Sequence, residues 1–377
     1  MKLFENRPSL CEEDLSLWHR LYAGERAAFI DIETTGLNKA YDCIYQVGLL
    51  FEDENGPKLV QLLAENAGDE RELLRSFGEL LRGITCLISF NGDAFDLPYL
   101  AYRAQKLRLK AFPRLIADEL HPADLASVDL LREFRPVQRL FGWENCRLKT
   151  LERFLGTERE DPFTGAQLIE LFDEYSATGD LRLEQVLRLH NYEDVADMPQ
   201  LLRIEGFLAG LREARVRGLA VQEGQFTLNL AEALPLSLSF CRGGLRVRTE
   251  AGSTKLSLIP EYEEASLRYY LPNYKDYYFL PETAELVHRA LAETAPSCGR
   301  RPARREECYL VREGRFLMLP REQGEALERI AAGELRPLHL FRHDLKEKNA
   351  YLEEGELSLF LREQPEEALN AWIQALI

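Results

Sequence analysis

The chain has 377 residues, 46% of them hydrophobic, and a formal net charge of −16. This length and composition predict a globular protein of two or at most three domains, and the lack of an uncharged apolar run of about 18 residues predicts no transmembrane helix. Because the N-terminal residues include several acids, a signal peptide is not indicated; we expect a cytoplasmic protein without a membrane partner.

Charge and cysteine content narrow the function classes further. The seven cysteines are scattered and form no Cys-x-x-Cys pair, which predicts reduced thiols and argues against a disulfide framework or a zinc site. The negative net charge would repel a polyanion at long range. Nucleic-acid binding would therefore depend on local basic patches or on bound metal ions.

The first half of the chain alternates strand and helix patterns. Strands are predicted at "AAFIDIE", "CIYQVGLLFED" and "KLVQLLAE", the last two joined by an Asn-Gly turn. A helix over 69–82, a strand at "ITCLISF" and a helix at "DLPYLAYRAQKL" follow. Helical patterns then dominate to about position 205, including "VDLLREF" and the long segment that contains "HNYEDV".

Beyond position 206 the pattern changes to short β-like segments, a hairpin at "CYLVREGRFLMLP" and helical patterns near 281–294, 321–332 and 365–377. We therefore expect three parts: an N-terminal extension (1–26), an α/β domain (27–205) and a smaller α+β domain of unknown role (206–377).

Carboxylates stand out in two stretches of the α/β domain. In "FIDIETTGL", Asp31 and Glu33 are two residues apart, so a strand would place both on one face, where they repel each other unless a cation lies nearby. The alternative is that the strand ends at Asp31 and both acids face water. Asp96, in "FNGDAFDLPYL", lies at a strand-to-helix junction, where it could instead compensate the helix dipole.

The third stretch is "HNYEDV". In a helix, His190 and Asp194 are four residues apart and share a face, with Asp197 one turn further. Taken alone, such a pair is typical of an ordinary surface or capping contact. Asp197 could hold His190 from behind, or be a solvated helix acid.

Together the three stretches resemble the motifs of the DEDD superfamily of 3′-5′ exonucleases, which have a ribonuclease H-like fold. "KTLERFLGTERE" is also similar to a stretch of bacterial ribonuclease H-like domains of the YprB type. The resemblance covers positions 27–205 and implies a mixed five-stranded sheet with flanking helices. It further implies that two Mg²⁺ or Mn²⁺ ions clamp the reacting oxygens of a phosphodiester, held by Asp31, Glu33, Asp96 and Asp194.

By this resemblance the chain is an enzyme, a metal-dependent 3′-5′ exonuclease that hydrolyses single-stranded DNA or RNA ends by a two-metal mechanism. The residues that would contact the substrate are Thr34, Thr35, Leu37, Asn91 and Phe95. The alternative is a catalytically weak or inactive nucleic-acid-binding module on an exonuclease scaffold. Neither protein partners nor the choice between DNA and RNA can be read from these motifs.

His190 departs from both main branches of the superfamily. One branch has a tyrosine four residues before the last Asp and the other a histidine five residues before it, whereas here a histidine has the four-residue spacing. We expect His190 to orient or deprotonate the attacking water. The alternative is a surface histidine that hydrogen-bonds a neighbouring acid.

Basic segments could guide a nucleic acid to this site. The stretch "YRAQKLRLKAFPR" (102–114) has five cations and no acid, which suits a phosphate backbone but also a solvated helix face. In the second domain, the Tyr-rich "LRYYLPNYKDYYFLP" and four arginines (Arg300, Arg301, Arg304 and Arg305) raise the same two alternatives. Sequence alone assigns a role to neither.

Overall fold

The computed structural model describes residues 1–117, 121–292, 299–331, 338–362 and 364–376. The chain divides into two compact units, Met1–Gly206 and Phe207–Ile377. Within the described ranges, every helix is too short or too polar to cross a lipid bilayer.

The first unit is built around a mixed sheet. Its strands are β1 (Lys2–Asn6), β2 (Ala27–Thr34), β3 (Ile44–Asp53), β4 (Gly56–Leu63), β5 (Cys86–Ser89) and β6 (Ala126–Asp129). They lie in the order β1-β4-β3-β2-β5-β6. The neighbours β2 and β5, and β5 and β6, are parallel, whereas the other neighbouring pairs are antiparallel.

This sheet confirms the predicted α/β class and extends it by one strand. The five strands β2 to β6 form the expected mixed sheet, and β1, from the segment expected to be an extension, adds a sixth by pairing with β4. The helical prediction for "VDLLREF" is only partly right. Its first two residues end β6, because they pair with β5.

Helices flank the sheet of the first unit. They are α1 (Glu12–Leu21), α2 (Glu70–Leu80), α3 (Asp96–Lys106), α4 (Leu130–Phe134), α5 (Gln138–Phe141), α6 (Leu148–Phe154), α7 (Gly165–Thr178), α8 (Leu181–Ala196) and α9 (Leu202–Arg212), the last of which contains the boundary between the units. Helix α8 packs across β2, β3 and β4. The first four residues of β2 are buried, as expected for a strand covered on both faces, so its acids follow a rigid core segment.

The second unit combines three antiparallel sheets with helices, in agreement with the predicted α+β class. Its strands are β7 (Val216–Gln222), β8 (Gln225–Leu234), β9 (Leu238–Arg242), β10 (Leu245–Thr249), β11 (Ser253–Pro260), β12 (Tyr262–Tyr270), β13 (Tyr277–Leu280), β14 (Glu285–His288), β15 (Arg301–Pro302), β16 (Tyr309–Leu319), β17 (Leu340–Phe341) and β18 (Ala350–Glu353). They form sheets in the orders β7-β8-β11-β10-β9, β12-β16-β18-β17 and β14-β13-β15.

The helices of the second unit are α10 (Arg289–Ala292), α11 (Arg321–Ala331), α12 (Glu356–Arg362) and α13 (Glu366–Gln374). Two of them, α11 and α13, match predicted helices, although positions 332 and 377 lie outside the described residues. The helix predicted near 281–294 is wrong over 285–288, which is β14. There the ladder to β13 overrides local helix propensity; 293 and 294 are not among the described residues.

The hairpin predicted at 308–320 is also wrong. This segment is one continuous strand, β16, paired along β12 from Tyr270 opposite Tyr309 to Tyr262 opposite Leu317. Gly314, in the middle of this segment, lies within the ladder opposite Ala265. The long partner strand therefore keeps the glycine extended.

Candidate active site

The four predicted acids converge from three elements of the first unit. Asp31 and Glu33 lie on β2 and alternate with Ile32; Asp96 is the first residue of α3, and Asp194 lies near the end of α8. Since β2 and β5 are parallel, the loop that leaves β5 reaches the edge where β2 ends. Asp96 Oδ1 accepts a hydrogen bond of 3.1 Å from the backbone N–H of Ile32.

Burial and mutual repulsion perturb three of these carboxyl groups. Burial, followed by repulsion from Asp194, Glu33 and Asp96, raises the pKa of Asp31 well above its usual range. Burial, followed by the charges of Asp194 and Asp96, does the same to the pKa of Glu33. Burial raises the pKa of Asp96 to about 7, against the opposing hydrogen bond from Ile32. The fold thus places three carboxyl groups where the ionised form is disfavoured.

An amide side chain orients Asp31. Asn191, on α8 and fully buried, donates through Nδ2 to Asp31 Oδ2 at 3.0 Å, and its own Oδ1 accepts a 3.0 Å hydrogen bond from Gln61 Nε2. Gly48, directly opposite Asp31 on β3, makes the approach of α8 possible. A Cβ at Gly48 would lie 2.5 Å from Asn191 Oδ1 and 2.8 Å from Val195 Cγ2, so a side chain there would displace the helix.

One arginine holds Asp194. Arg159 donates through Nη1 to Asp194 Oδ1. It also donates through Nε and Nη2 to the two carboxylate oxygens of Glu152, and both of these bonds are 2.5 Å long. The side chains of Arg159 and Glu152 are 6% and 1% exposed, which makes this a buried, bidentate pair of the kind that fixes geometry. The positive charge of Arg159 also partly opposes the rise in the pKa of Glu33.

His190 lies between Glu33 and Asp194 on one side of its ring and Asp161 on the other. Its Nε2 is 3.3 Å from Asp194 Oδ2 and 3.4 Å from Glu33 Oε1, and its Nδ1 is 2.5 Å from Asp161 Oδ2. The ring is 6% exposed. The alternative of an ordinary surface histidine therefore does not fit the structure, because the imidazole is buried within the acid cluster.

Asp161, rather than Asp197, holds the ring from behind. Besides His190, Asp161 accepts hydrogen bonds of 3.0 Å from Lys149 Nζ and from the backbone N–H of Phe163. Burial alone would raise its pKa, but the hydrogen bonds from His190, Phe163 and Lys149 bring the pKa below its usual value. Asp197 forms the C-cap of α8, where burial raises its pKa to about 6.

The predicted substrate residues lie along the two loops that follow β2 and β5. Thr34 donates to the carbonyl of Gly36, the Thr35 hydroxyl accepts from the backbone N–H of Cys43, and Leu37 is 85% exposed. On the second loop, the two predicted residues are Asn91, at a positive φ of 70°, and Phe95, whose ring packs on that of Tyr99. These loops flank the acids, and the substrate contacts stay predictions.

Much of the predicted basic segment has a structural role. Arg103 forms a buried ion pair with Glu70, and Lys106 donates to the carbonyl of Ala40. Two other members, Arg108 and Lys110, line a cavity of about 300 Å³. Sequence reasoning could not separate these uses, since an arginine that pairs with a buried acid looks the same as one that faces a phosphate.

Asn191, Arg159, Glu152 and Asp161 were missed as site residues. For Asn191 the sequence did contain an indication. Asparagine is unfavourable in the interior of a helix unless its side-chain amide has hydrogen-bond partners. Arg159 and Glu152 belong to "KTLERFLGTERE", which contributed to the resemblance without a role being assigned to either. Asp161 follows directly in a loop with no periodicity, so only the three-dimensional structure brings it to His190.

The donor set fits a divalent cation. Carboxylate oxygens are the ligands that hard cations prefer, and the acid repulsion described above would be relieved by positive charge. One ligand atom each from Glu33, His190 and Asp194 lies within 4.8 Å of the others. The residues that could hold cations are therefore these three together with Asp31 and Asp96.

Comparison with known proteins finds a match between the first unit and a superfamily model. Residues 28–204 match the model of the RNase_H superfamily. DNA polymerase 1 of Sulfurisphaera ohwakuensis is 42% identical over 60 residues, 16% of this chain and 7% of the polymerase. DNA polymerase 1 of Saccharolobus solfataricus is 39% identical over 77 residues, 20% of this chain and 8% of that protein.

Two further matches are also to polymerases. A DNA polymerase of Pyrococcus glycovorans is 37% identical over 68 residues, 16% of this chain and 9% of its own. The structure of the family B DNA polymerase from the archaeon Pyrobaculum calidifontis aligns with a TM-score of 0.42 and 13% identity over 94% of this chain and 46% of that one. The chain spans less than a tenth of the length of the curated relatives. Residues 28–204, which match the RNase H superfamily model, have a ribonuclease H-like fold.

Proposed function

We propose that this protein is a metal-dependent nuclease of the DEDD type, similar to the YprB-type domains, that removes nucleotides from the 3′ ends of single-stranded DNA or RNA. Two Mg²⁺ or Mn²⁺ ions would be held by Asp31, Glu33, Asp96 and Asp194. The RNase H superfamily match and the partial matches to DNA polymerases support a nucleic-acid substrate.

The observation that carries the proposal is the convergence of four acids in a largely buried site. A fold that needed these residues only for stability would pair each acid with a cation, because an unpaired buried charge is destabilising. Here Arg159 pairs with Asp194, while Asp31, Glu33 and Asp96 have raised pKa values. Such perturbed groups are typical of functional sites.

Three of the four acids are each held in place by a different partner, which prepares the site for catalysis. Asn191 fixes Asp31, the Ile32 N–H fixes Asp96, and Arg159 fixes Asp194. Bound divalent cations would supply neutralisation of the phosphodiester charge and a water of lowered pKa. The residues would then keep the scissile phosphate in line for attack. The predicted water-handling atom is His190 Nε2, which faces the acids.

A direct experiment uses 5′-labelled single-stranded DNA and RNA with Mg²⁺ or Mn²⁺, resolved as ladders. The wild-type protein is expected to shorten the strands from the 3′ end, and Asp31→Asn to lower the rate by at least about a hundredfold, since preorganised electrostatic groups have effects of that size. The matched control is Asp173→Asn, an exposed acid on α7, which should leave the rate unchanged. No cation-dependent shortening, or full activity of Asp31→Asn, would contradict the proposal.

A second candidate function, an inactive nucleic-acid-binding module on the same scaffold, is favoured by one observation. The protein itself supplies a guanidinium to Asp194, so one of the acids is already compensated without a metal ion. Calorimetric titration with Mn²⁺ separates the candidates. The nuclease should bind about two ions per chain, whereas the binding module should show no saturable uptake at these acids.

A further inference from the structure

We propose that His190 binds the catalytic cation directly, as a nitrogen ligand through Nε2 beside Glu33 and Asp194, and that this makes the site prefer Mn²⁺ over Mg²⁺. The inference rests on the proposed function and goes further by naming which cation the site selects. It also replaces the predicted water-handling role of His190 Nε2, because a nitrogen whose lone pair holds a metal ion cannot also accept a proton.

The hydrogen bonds around the ring define which nitrogen faces the acids. Asp161 receives hydrogen bonds from Lys149 Nζ and the Phe163 backbone N–H, as a carboxylate does, so it accepts from His190 and Nδ1 carries the proton. In the neutral ring that metal binding requires, the lone pair of Nε2 then points away from Asp161. Carboxylate, histidine and metal in a row are the usual arrangement for a metal-binding histidine.

The distances on the other side of the ring suit a shared ligand better than a hydrogen bond. Nε2 is nearly equidistant from Asp194 Oδ2 (3.3 Å) and Glu33 Oε1 (3.4 Å), both longer than the 2.9–3.0 Å typical of N–H···O contacts. A neutral Nε2 and two carboxylate oxygens all carry lone pairs. These three atoms, within 4.8 Å of one another, therefore present donors on three sides of one position.

The ring can hardly leave this position. His190 is 6% exposed, and Asp161, which anchors it, has a side chain that is 1% exposed. A histidine that exchanges protons with water during turnover needs access to solvent or substrate, whereas a ligand needs a fixed direction. The packing behind His190 favours the second role.

The nitrogen donor has a consequence for metal choice. Mg²⁺ is a hard cation that takes oxygen ligands in strict octahedral geometry and keeps several waters, whereas imidazole suits first-row transition metals. Glu33 and Asp194 alone would accept either ion. With His190 added, we expect the protein to bind Mn²⁺ at least about tenfold more tightly than Mg²⁺.

The experiment measures Mn²⁺ bound to the intact protein by pulsed electron paramagnetic resonance, which detects ¹⁴N coupled to the metal. The wild-type protein is expected to show this coupling, and His190→Asn to lose it while still binding Mn²⁺ through its acids. The matched control is His19→Ala. His19 also contacts a carboxylate, Glu52 at 2.6 Å, but its side chain is 56% exposed, so the coupling should persist.

Titration calorimetry with Mn²⁺ and Mg²⁺ provides the second readout. His190→Asn should reduce the Mn²⁺ preference at least fivefold with little change in Mg²⁺ affinity, and Asp161→Asn should weaken Mn²⁺ binding by about 10–100-fold, as is usual for the partner of a ligating histidine. Mn²⁺ bound without ¹⁴N coupling, or an unchanged preference in His190→Asn, would overturn the ligand role.

The outcomes also separate this inference from the proposed function. Cation-dependent shortening of strands without ¹⁴N coupling would leave the nuclease intact and reject the ligand role. Failure to bind either ion would reject both. Nitrogen coupling without strand cleavage would support the ligand role and reject the nuclease.

Discussion

Two buried charged clusters in the first unit are organised in opposite ways. In the first, Arg103 and Glu70 satisfy each other: Nε donates to Oε1 at 2.7 Å, Nη2 donates to Oε2, and the side chains are 7% and 4% exposed. In the second, the acids Asp31, Glu33, Asp96 and Asp194 converge on Arg159 and His190. The charges of the first cluster balance, whereas those of the second do not.

The difference teaches what each cluster is for. Pairing with Glu70 raises the pKa of Arg103, so the guanidinium stays charged and the pair contributes to the fold once it is formed. At the acid cluster, burial and repulsion raise the pKa of Asp31, Glu33 and Asp96 instead. Holding these acids together lowers the stability of the cation-free fold, and a bound cation would offset that cost. Acids perturbed in this way are typical of ligand sites.

The largest expected effect breaks the balanced cluster. Glu70→Ala would leave the Arg103 guanidinium buried without its carboxylate, and would also remove the acceptor of the Ile44 backbone N–H. Chemical denaturation is expected to show a loss of about 3–5 kcal/mol of stability. Cation binding per folded molecule should be unchanged.

Glu72→Ala is the matched control on the same helix. Its side chain is 56% exposed and 4.0 Å from Arg75, so stability should change by no more than about 0.5 kcal/mol. Equal losses in the two variants would mean that the Arg103–Glu70 pair contributes no more than a surface contact.

A middle-sized effect targets the backbone that supports the acid cluster. Gly48→Ala would place a methyl group 2.5 Å from Asn191 Oδ1, which should displace α8 and cost about 1–3 kcal/mol by overpacking. Because Asn191 and Asp194 move with α8, cation affinity should fall together with stability. Denaturation and calorimetry would measure both.

The control for this variant is Gly165→Ala. Gly165 is the first residue of α7, and a Cβ there would meet nothing within 4 Å. Stability should stay the same or increase slightly. Wild-type stability and cation affinity in Gly48→Ala would show that a methyl group fits between β3 and α8, which would contradict the prediction.

The smallest expected effect, counted per pH unit, concerns pH, because one titrating group changes stability by at most about 1.4 kcal/mol per unit. The folded pKa of Asp96 is about 7, against an ordinary value of 3.8, so between these values the folded protein holds a proton that the unfolded chain has released. Stability of the cation-free protein should therefore fall as pH rises through this window. Thermal unfolding with a chelator, from about pH 5 to pH 8, would measure the fall.

Asp96→Asn should make that fall smaller, because its amide does not titrate while Asp31 and Glu33 still do, whereas Asp173→Asn should follow the wild-type curve. Added Mn²⁺ should reverse the fall at the upper end of the range. A cation-free protein whose stability rises across this window would contradict the raised pKa.

The predicted parts of the site are those that depend on local periodicity. Alternation along a strand placed Asp31 and Glu33 on one face, and helical spacing placed His190 and Asp194 together. The α/β class followed from the same patterns. The two errors in the second unit, at β14 and β16, arose where a partner strand decides the conformation.

The remaining parts depend on contacts between distant segments. Arg159 reaches Asp194 across 35 positions and Asp161 reaches His190 across 29, and a single sequence contains no signal for such pairings. Gly48 is similar, because its significance is the helix that packs above it. Sequence therefore predicted the acids and the histidine that the fold brings together, but not the side chains that position them.

The hydrogen-bonded amides beside Asp31 have a directional consequence. Gln61 donates to Asn191 Oδ1, which obliges the other end of that amide to donate to Asp31 Oδ2. Because Oδ2 already accepts this N–H, a proton on Asp31 is favoured on Oδ1. A glutamine two strands away in the sheet thus biases which oxygen of Asp31 is protonated.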